Sequence, residues 1–261
     1  MSEGQRQAGH RHIKRYGWKP SLPDHRDLLA DTTGLTPLPE VDPRGQMPGV
    51  FNQLALGSCT ANAVGAAIEY DGMLDGAPAA TPSRLFIYYC ERQIEGSLGQ
   101  GDTGAYGRDG FKAARRYGTP PETDWPYDIA KYADDPPQRA WDDAAAHRLA
   151  KYYKSVRRSI TQFKLVLSNR QTIAFGFSVY ESFESQQVAE TGVVPMPGPD
   201  ERQLGGHEVL AVGYLEDHPD HVLVRNSWGP DWGMGGYFLM PWAYLLSTDL
   251  SSDFRTIVRP L

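Results

Sequence analysis

The clearest pattern in the chain lies between Ser58 and Met73. Ala61, Ala63, Val64, Ala66, Ala67 and Ile68 place apolar groups on nearly every side of a helix, and a helix that is apolar all round is a buried one. Thr81-Pro82-Ser83 supplies cap signals for a second helix running through Arg92. A third helix is predicted over Tyr106–Tyr117, closed by Gly118 and Pro120, and a fourth over Ala140–Tyr153. The texture then changes. Ile173–Tyr180 (IAFGFSVY), Val209–Tyr214 (VLAVGY), Val222–Arg225 and Tyr237–Met240 read as strands parted by Gly, Pro and Asp. Helices first and strands second predict an α+β fold in two halves. Clefts form between such halves, so chemical groups are expected from both.

Residues 1–38 differ from the rest. Up to Lys19 they hold five Lys or Arg against one acidic residue, and Pro20, Pro23 and Pro37 break any helix. An extended arm and an unstructured tail both fit this stretch. Through Asp27 it carries six basic and three acidic residues, leaving 20 against 29 in the remainder. A basic arm is thus tethered to an acidic body, and residues 1–38 are expected to return across the cleft as a short covering segment with Tyr16-Gly17-Trp18 nearest it. The globular part is expected over 39–261, with a helical half at about 50–153 and a β-rich half at 39–49 and 154–261. No internal repeat is visible.

Composition narrows the classes. With 261 residues the chain is long enough to bury a core without covalent staples. Its 27 glycines and 20 prolines suit a turn-rich fold rather than a helical bundle. A net charge of −6 argues against coating nucleic acid. Only two cysteines, Cys59 and Cys90, exclude a disulfide-rich scaffold and a four-cysteine metal site. No ligand spacing for a metal is present, His218-x-x-His221 included, so neither metal nor cofactor is expected. No segment approaches the ~18 apolar residues of a membrane span, and the basic start lacks the apolar stretch of a signal peptide. A cytoplasmic monomer is the default expectation, with signal-independent export compatible.

The chemistry concentrates in three places. Gly57-Ser58-Cys59 enters the buried helix, where the free N–H groups and the partial positive charge of the helix start favour a thiolate. Read alone, Cys59 fits better as a small buried apolar residue, the commoner fate of a lone cysteine. Gly205-Gly206-His207 opens the strand at Val209–Tyr214, and Val222–Arg225 runs into Asn226-Ser227-Trp228-Gly229. Adjacent strands would set His207 beside Asn226, whose carbonyl can fix the imidazole tautomer and leave the second nitrogen for a thiol. Trp228 would roof that hydrogen bond. The other histidines carry no such context.

Gln53-x5-Cys59, Gly206-His207-x-Val209 and Asn226-Ser227-Trp228-Gly229-x-x-Trp232-Gly233-x-x-Gly236-Tyr237 together resemble the papain family of cysteine peptidases. The likeness runs from about Pro39 to Met240 and includes Pro39-Glu40-Val41-Asp42-x-Arg44, Gly101-x-x-Gly104 and Trp125-Pro126-Tyr127. The short-arm, disulfide-free form is similar to the bacterial branch of that family. The resemblance implies a two-domain fold, with a helical left half, a β-barrel-like antiparallel right half and the site in the cleft. It implies Cys59 as nucleophile, His207 as the partner that holds an ion pair with it and then protonates the leaving amine, and Asn226 as the group orienting His207. The Gln53 amide and the Cys59 backbone N–H would form an oxyanion hole. Gly104 and Ala105 would pair with substrate backbone. Tyr106 and Ile173 would border an apolar specificity pocket, with Gly206 and Trp228 lining the site. Peptides or proteins are the implied substrates.

The chain also departs from the family. The Trp usual after the nucleophile is Thr60, and the family's nearby disulfide positions are Leu56 and Asp102. Cys90 lacks a partner and reads as structural. Glu208 stands where a small residue is usual, and strand alternation points it away from His207, toward the surface. Two other functions stay open: a non-catalytic papain-like binding protein, and acyl transfer to an acceptor other than water. Retention of all four polar groups favours the peptidase.

Overall fold

The structure is a computed structural model, and it describes residues 16–76, 80–146 and 153–258. In chain order the elements are β1 (Trp18–Lys19), α1 (Cys59–Leu74), α2 (Arg84–Glu95), β2 (Ala105–Tyr106), α3 (Gly107–Arg116) and α4 (Gln138–Ala146). They continue with β3 (Tyr153–Ser155), α5 (Ile160–Ser168), β4 (Ile173–Tyr180), α6 (Gln186–Thr191), β5 (Gln203–Gly213), β6 (His221–Arg225), β7 (Tyr237–Pro241), α7 (Trp242–Leu246) and β8 (Ser251–Ile257). Helices dominate the first half and strands the second, as the pattern predicts.

The α1 helix is buried along most of its length because its residues are small on every side. Only then can α2, α3 and the sheet all pack on it: at Gly65, the space for a Cβ ends 3.3 Å from the Arg84 side chain. The α2 helix starts as predicted, with the Ser83 hydroxyl accepting the Phe86 N–H at 3.2 Å, and it stops at Gly96, whose φ of 67° suits glycine. The fourth helix covers 138–146. Tyr153 lies in β3 instead, and 147–152 fall outside the described residues.

The six strands pair antiparallel in the order β3-β8-β4-β5-β6-β7. The sheet is open, with β3 and β7 at its edges, rather than a closed barrel. Alternate residues separate its two faces. Phe175, Phe177, Val179, Val209 and Ala211 join a core with Phe163 and Val166 of α5. Ala174, Leu210 and Val212 meet Val64, Ala66 and Ala67 of α1. Both faces are therefore covered, which is why β4 is a continuous apolar run.

The sequence pattern does not announce α5, β3 or β8. The mixed sequence of β8, SSDFRTI, makes sense only between β3 and β4. Residues 20–58 run along the body: Ala30 N–H donates to Ser155 O at 2.8 Å, and Val41 and Tyr214 exchange hydrogen bonds at 2.9 Å.

Candidate active site

Cys59 is the first residue of α1 and is completely buried. Its sulfur receives the backbone N–H groups of Glu208, the residue after His207, and of Gly17. The Ser58 hydroxyl does not cap the helix. It bonds Tyr127 OH at 2.6 Å and accepts Asn62 Nδ2 at 3.1 Å.

His207 lies on β5, and Asn226 follows the last residue of β6. Their side chains meet at 2.8 Å, His207 Nε2 to Asn226 Oδ1. That oxygen also accepts the Ser227 backbone N–H at 2.8 Å. A backbone N–H can only donate, so the atom is the carbonyl oxygen of the amide. Nε2 then carries the proton, and Nδ1 is the nitrogen left for chemistry. Trp228 stacks on the imidazole with ring centres 5.0 Å apart, and Phe177 meets it edge-on at 5.7 Å.

Gln53 is held just as closely. Its backbone N–H donates to Ser227 O at 2.8 Å, and its carbonyl accepts Tyr127 OH at 2.9 Å. Its Nε2 donates to Leu56 O at 3.0 Å, and Ser227 Oγ donates to its Oε1 at 2.7 Å. The second Nε2 proton has no assigned acceptor among the described residues, so a donor is available without rearrangement.

The arm passes through this site. Strand β1 pairs parallel with β2, Trp18 opposite Ala105, and Ala105 N–H donates to Gly17 O at 2.7 Å. Gly17 fits only because it lacks a Cβ, which would lie 1.7 Å from the carbonyl oxygen of Gly57. The buried Trp18 indole rests on Gly176 and Gly206, where added Cβ atoms would come within 1.8 and 2.5 Å of it. Tyr16 lies edge-on to His207, ring centres 6.3 Å apart, and its hydroxyl donates to Glu184. Lys19 bonds Glu95 at 2.6 Å, and Ser21 N–H donates to Asp253 at 2.8 Å.

Burial dominates the electrostatics. It pushes the Cys59 thiol up to about 12, reinforced by the Glu208 and Glu91 carboxylates and only partly opposed by the two backbone N–H groups. With the arm in place, burial therefore favours the neutral thiol and works against the thiolate that the helix start by itself would favour. Cys90 is buried and unbridged, and its thiol is also pushed up by burial.

Of the residues read from the sequence, Cys59, His207, Gly206, Gly104, Ala105 and Tyr106 meet the arm segment, Asn226 and Trp228 hold His207, and Gln53 is tied to Ser227 beside them. Ile173 does not. It is buried in the sheet core opposite Ala211, four positions along β4 from Phe177, the residue that pairs with His207. Gly176 takes the cleft position expected of Ile173, and a glycine inside an apolar strand was the available sign of a close approach. Glu208 needs correction as well. It does point away from His207, but that face is covered by α1 and α3. The residue is only 1% exposed, and a Cβ on Gly107 would lie 2.0 Å from its Oε2. Burial first, and Asp253 second, push its carboxyl up to about 8, against the opposing pull of Arg255.

Comparison with known proteins agrees with this geometry. The model of the papain family cysteine proteases matches residues 39–245. An uncharacterized peptidase C1-like protein of Acanthamoeba polyphaga mimivirus is 36% identical over 271 residues, spanning 94% of this chain and 86% of that one. Among solved structures, xylellain, a cysteine protease from Xylella fastidiosa, superposes with a TM-score of 0.84 at 35% identity, covering 96% of this chain and 98% of its own. Digestive procathepsin L 3 of Tenebrio molitor larval midgut shares the fold, with a TM-score of 0.66 at 19% identity over 87% of this chain and 73% of its own. The chain belongs to the papain family of cysteine proteases. It is a papain-like cysteine peptidase.

Proposed function

We propose that this peptidase hydrolyses peptide bonds through a Cys59 acyl-enzyme, and that its own residues 16–19 occupy the substrate cleft until displaced. His207 Nδ1 takes the thiol proton, and the sulfur attacks the scissile carbonyl carbon. The oxyanion that develops is met by Gln53 Nε2 and the Cys59 backbone N–H. The C–N bond then breaks as His207 returns the proton to the leaving amine. Water, deprotonated by the same imidazole, releases the acyl group and restores the thiol. Asn226 holds the tautomer throughout, and Trp228 keeps water from its hydrogen bond.

The observation that carries the proposal is the arm itself. A main chain lies paired to Ala105, with Gly17 against Gly57 and an aromatic side chain seated on Gly176 and Gly206. This is how a peptide would be held, and it supports an apolar pocket large enough for an aromatic substrate side chain, bordered by Tyr106. Tethering keeps the arm at high effective concentration, so modest contacts suffice to cover Cys59. Residues 21–38 play a different part. Leu28 and Ala30 bond the backbone of Ser155, so removing this stretch as well would strip a sheet edge.

The test compares the full chain, a chain beginning at Pro20, and full-length Trp18→Ala, each with a small fluorogenic peptide and with Cys59→Ala as control. A rise of tenfold or more on shortening, and a smaller rise for Trp18→Ala, is expected. Unchanged rates in a folded Pro20 chain would refute the covering role. Cleavage persisting in Cys59→Ala would refute the nucleophile.

A further inference from the structure

Asp102 lies outside the groups that carry the reaction, yet its carboxylate joins two segments that must stay in register. One oxygen, Oδ2, accepts the backbone N–H of Gly57 at 2.9 Å. The other accepts the hydroxyl of Tyr88. The Tyr88 oxygen in turn accepts the backbone N–H of Gly104 at 3.1 Å. Gly57 is two residues before Cys59, and Gly104 is the residue before Ala105, whose N–H the arm already engages. A single half-buried carboxylate thus spans from the nucleophile's approach loop to the strand on which a peptide pairs.

The chemistry of the link is specific. Two donors arrive from segments 45 and 14 residues away in sequence, and a carboxylate offers two acceptor oxygens in a fork. Tyr88 is fully buried, and burial together with the neighbouring Asp102 charge raises its phenol far above the ordinary value, so it remains a donor at every working pH. The fit allows nothing larger at Gly57, where a Cβ would lie 2.8 Å from Asp102 Oδ1.

We propose that Asp102 is a positioning residue for this peptidase, and that through Gly57 and Tyr88 it sets the spacing between the Cys59 sulfur and the paired substrate backbone. A displacement of about 1 Å at a reacting centre costs on the order of a hundredfold in rate, so the link acts on turnover as well as on folding.

The proposal rests on Cys59 as nucleophile, so Cys59→Ala is run alongside to read that assignment separately. All variants are made in the full-length chain carrying Trp18→Ala, in which the arm competes less strongly with substrate for Ala105, and each is compared with that parent. Rates are expressed per active site, counted with a covalent epoxide inhibitor. Asp102→Ala is expected to lower kcat/KM about thirtyfold or more, and Asp102→Asn, which keeps an acceptor for Gly57, to recover most of kcat. Tyr88→Phe frees only the Gly104 end. It is expected to raise KM about fivefold while leaving kcat and the rate of Cys59 alkylation by iodoacetamide within about twofold. Per-site kcat/KM within twofold of the parent for Asp102→Ala would overturn the proposal, as would losses that vanish on counting active sites. Should Asp102→Ala fail to fold, Tyr88→Phe decides, and an unchanged KM there overturns it.

Discussion

Replacing Glu208 by Gln probes a carboxyl buried behind α1. The groups around it come from several elements. Thr60 of α1 donates to Glu91 of α2 at 2.8 Å, and Glu91 itself is repelled by Glu208, by Glu95 and by Asp109 of α3. On β8, Asp253 disfavours the Glu208 anion and Arg255 favours it. Among the described residues, neither Glu208 Oε2 nor Glu91 Oε1 has a hydrogen-bond partner. The outcome is a carboxyl raised from 4.5 to about 8 in the folded chain. Between those values the folded protein binds a proton that the unfolded chain has released, so stability falls as pH rises through the window. At ~1.4 kcal/mol per pH unit the full excursion is on the order of 5 kcal/mol. Gln cannot ionise. The stability of Glu208→Gln relative to wild type should therefore climb with pH from about 4.5 and level off near 8, on top of a constant offset for the amide. Urea unfolding at half-unit intervals from about pH 5 to 9 measures this directly. Parallel curves, with a difference independent of pH, would refute the argument that Glu208 folds in its neutral form.

Gln53→Ala should lower kcat about a hundredfold with KM changed only a few-fold, because the amide acts on charge that exists only in the transition state; steady-state kinetics on the arm-shortened chain reads it. Gly176→Val should fill the space under the Trp18 indole. Cys59 alkylation by iodoacetamide should then be faster in the full chain, while peptides with an aromatic side chain for that pocket lose about tenfold in kcat/KM relative to peptides with a small one.

What was legible in the chain is what depends on local order. The α1 helix, the cap at Ser83 and the strands at Ile173–Tyr180 and Val222–Arg225 follow from period and punctuation within a dozen residues. Gln53, Cys59, His207 and Asn226 stand in short motifs that keep their order along the chain. Tertiary structure decided everything that depends on what covers a face. Alternation correctly turned Glu208 away from His207, but only the packing of α1 and α3 on that face makes it a buried acid rather than a surface one. Ile173 and Gly176 share one apolar strand, but their odd spacing turns them to opposite faces, Ile173 into the core with Phe175 and Phe177 and Gly176 under the Trp18 indole. Asp102 reads only as the polar residue at a lost disulfide position in a glycine-rich loop until folding brings Gly57 and Tyr88 to its two oxygens. Period and motif name the parts of this peptidase, whereas burial and reach, which are properties of pairs distant in sequence, determine which of them meet.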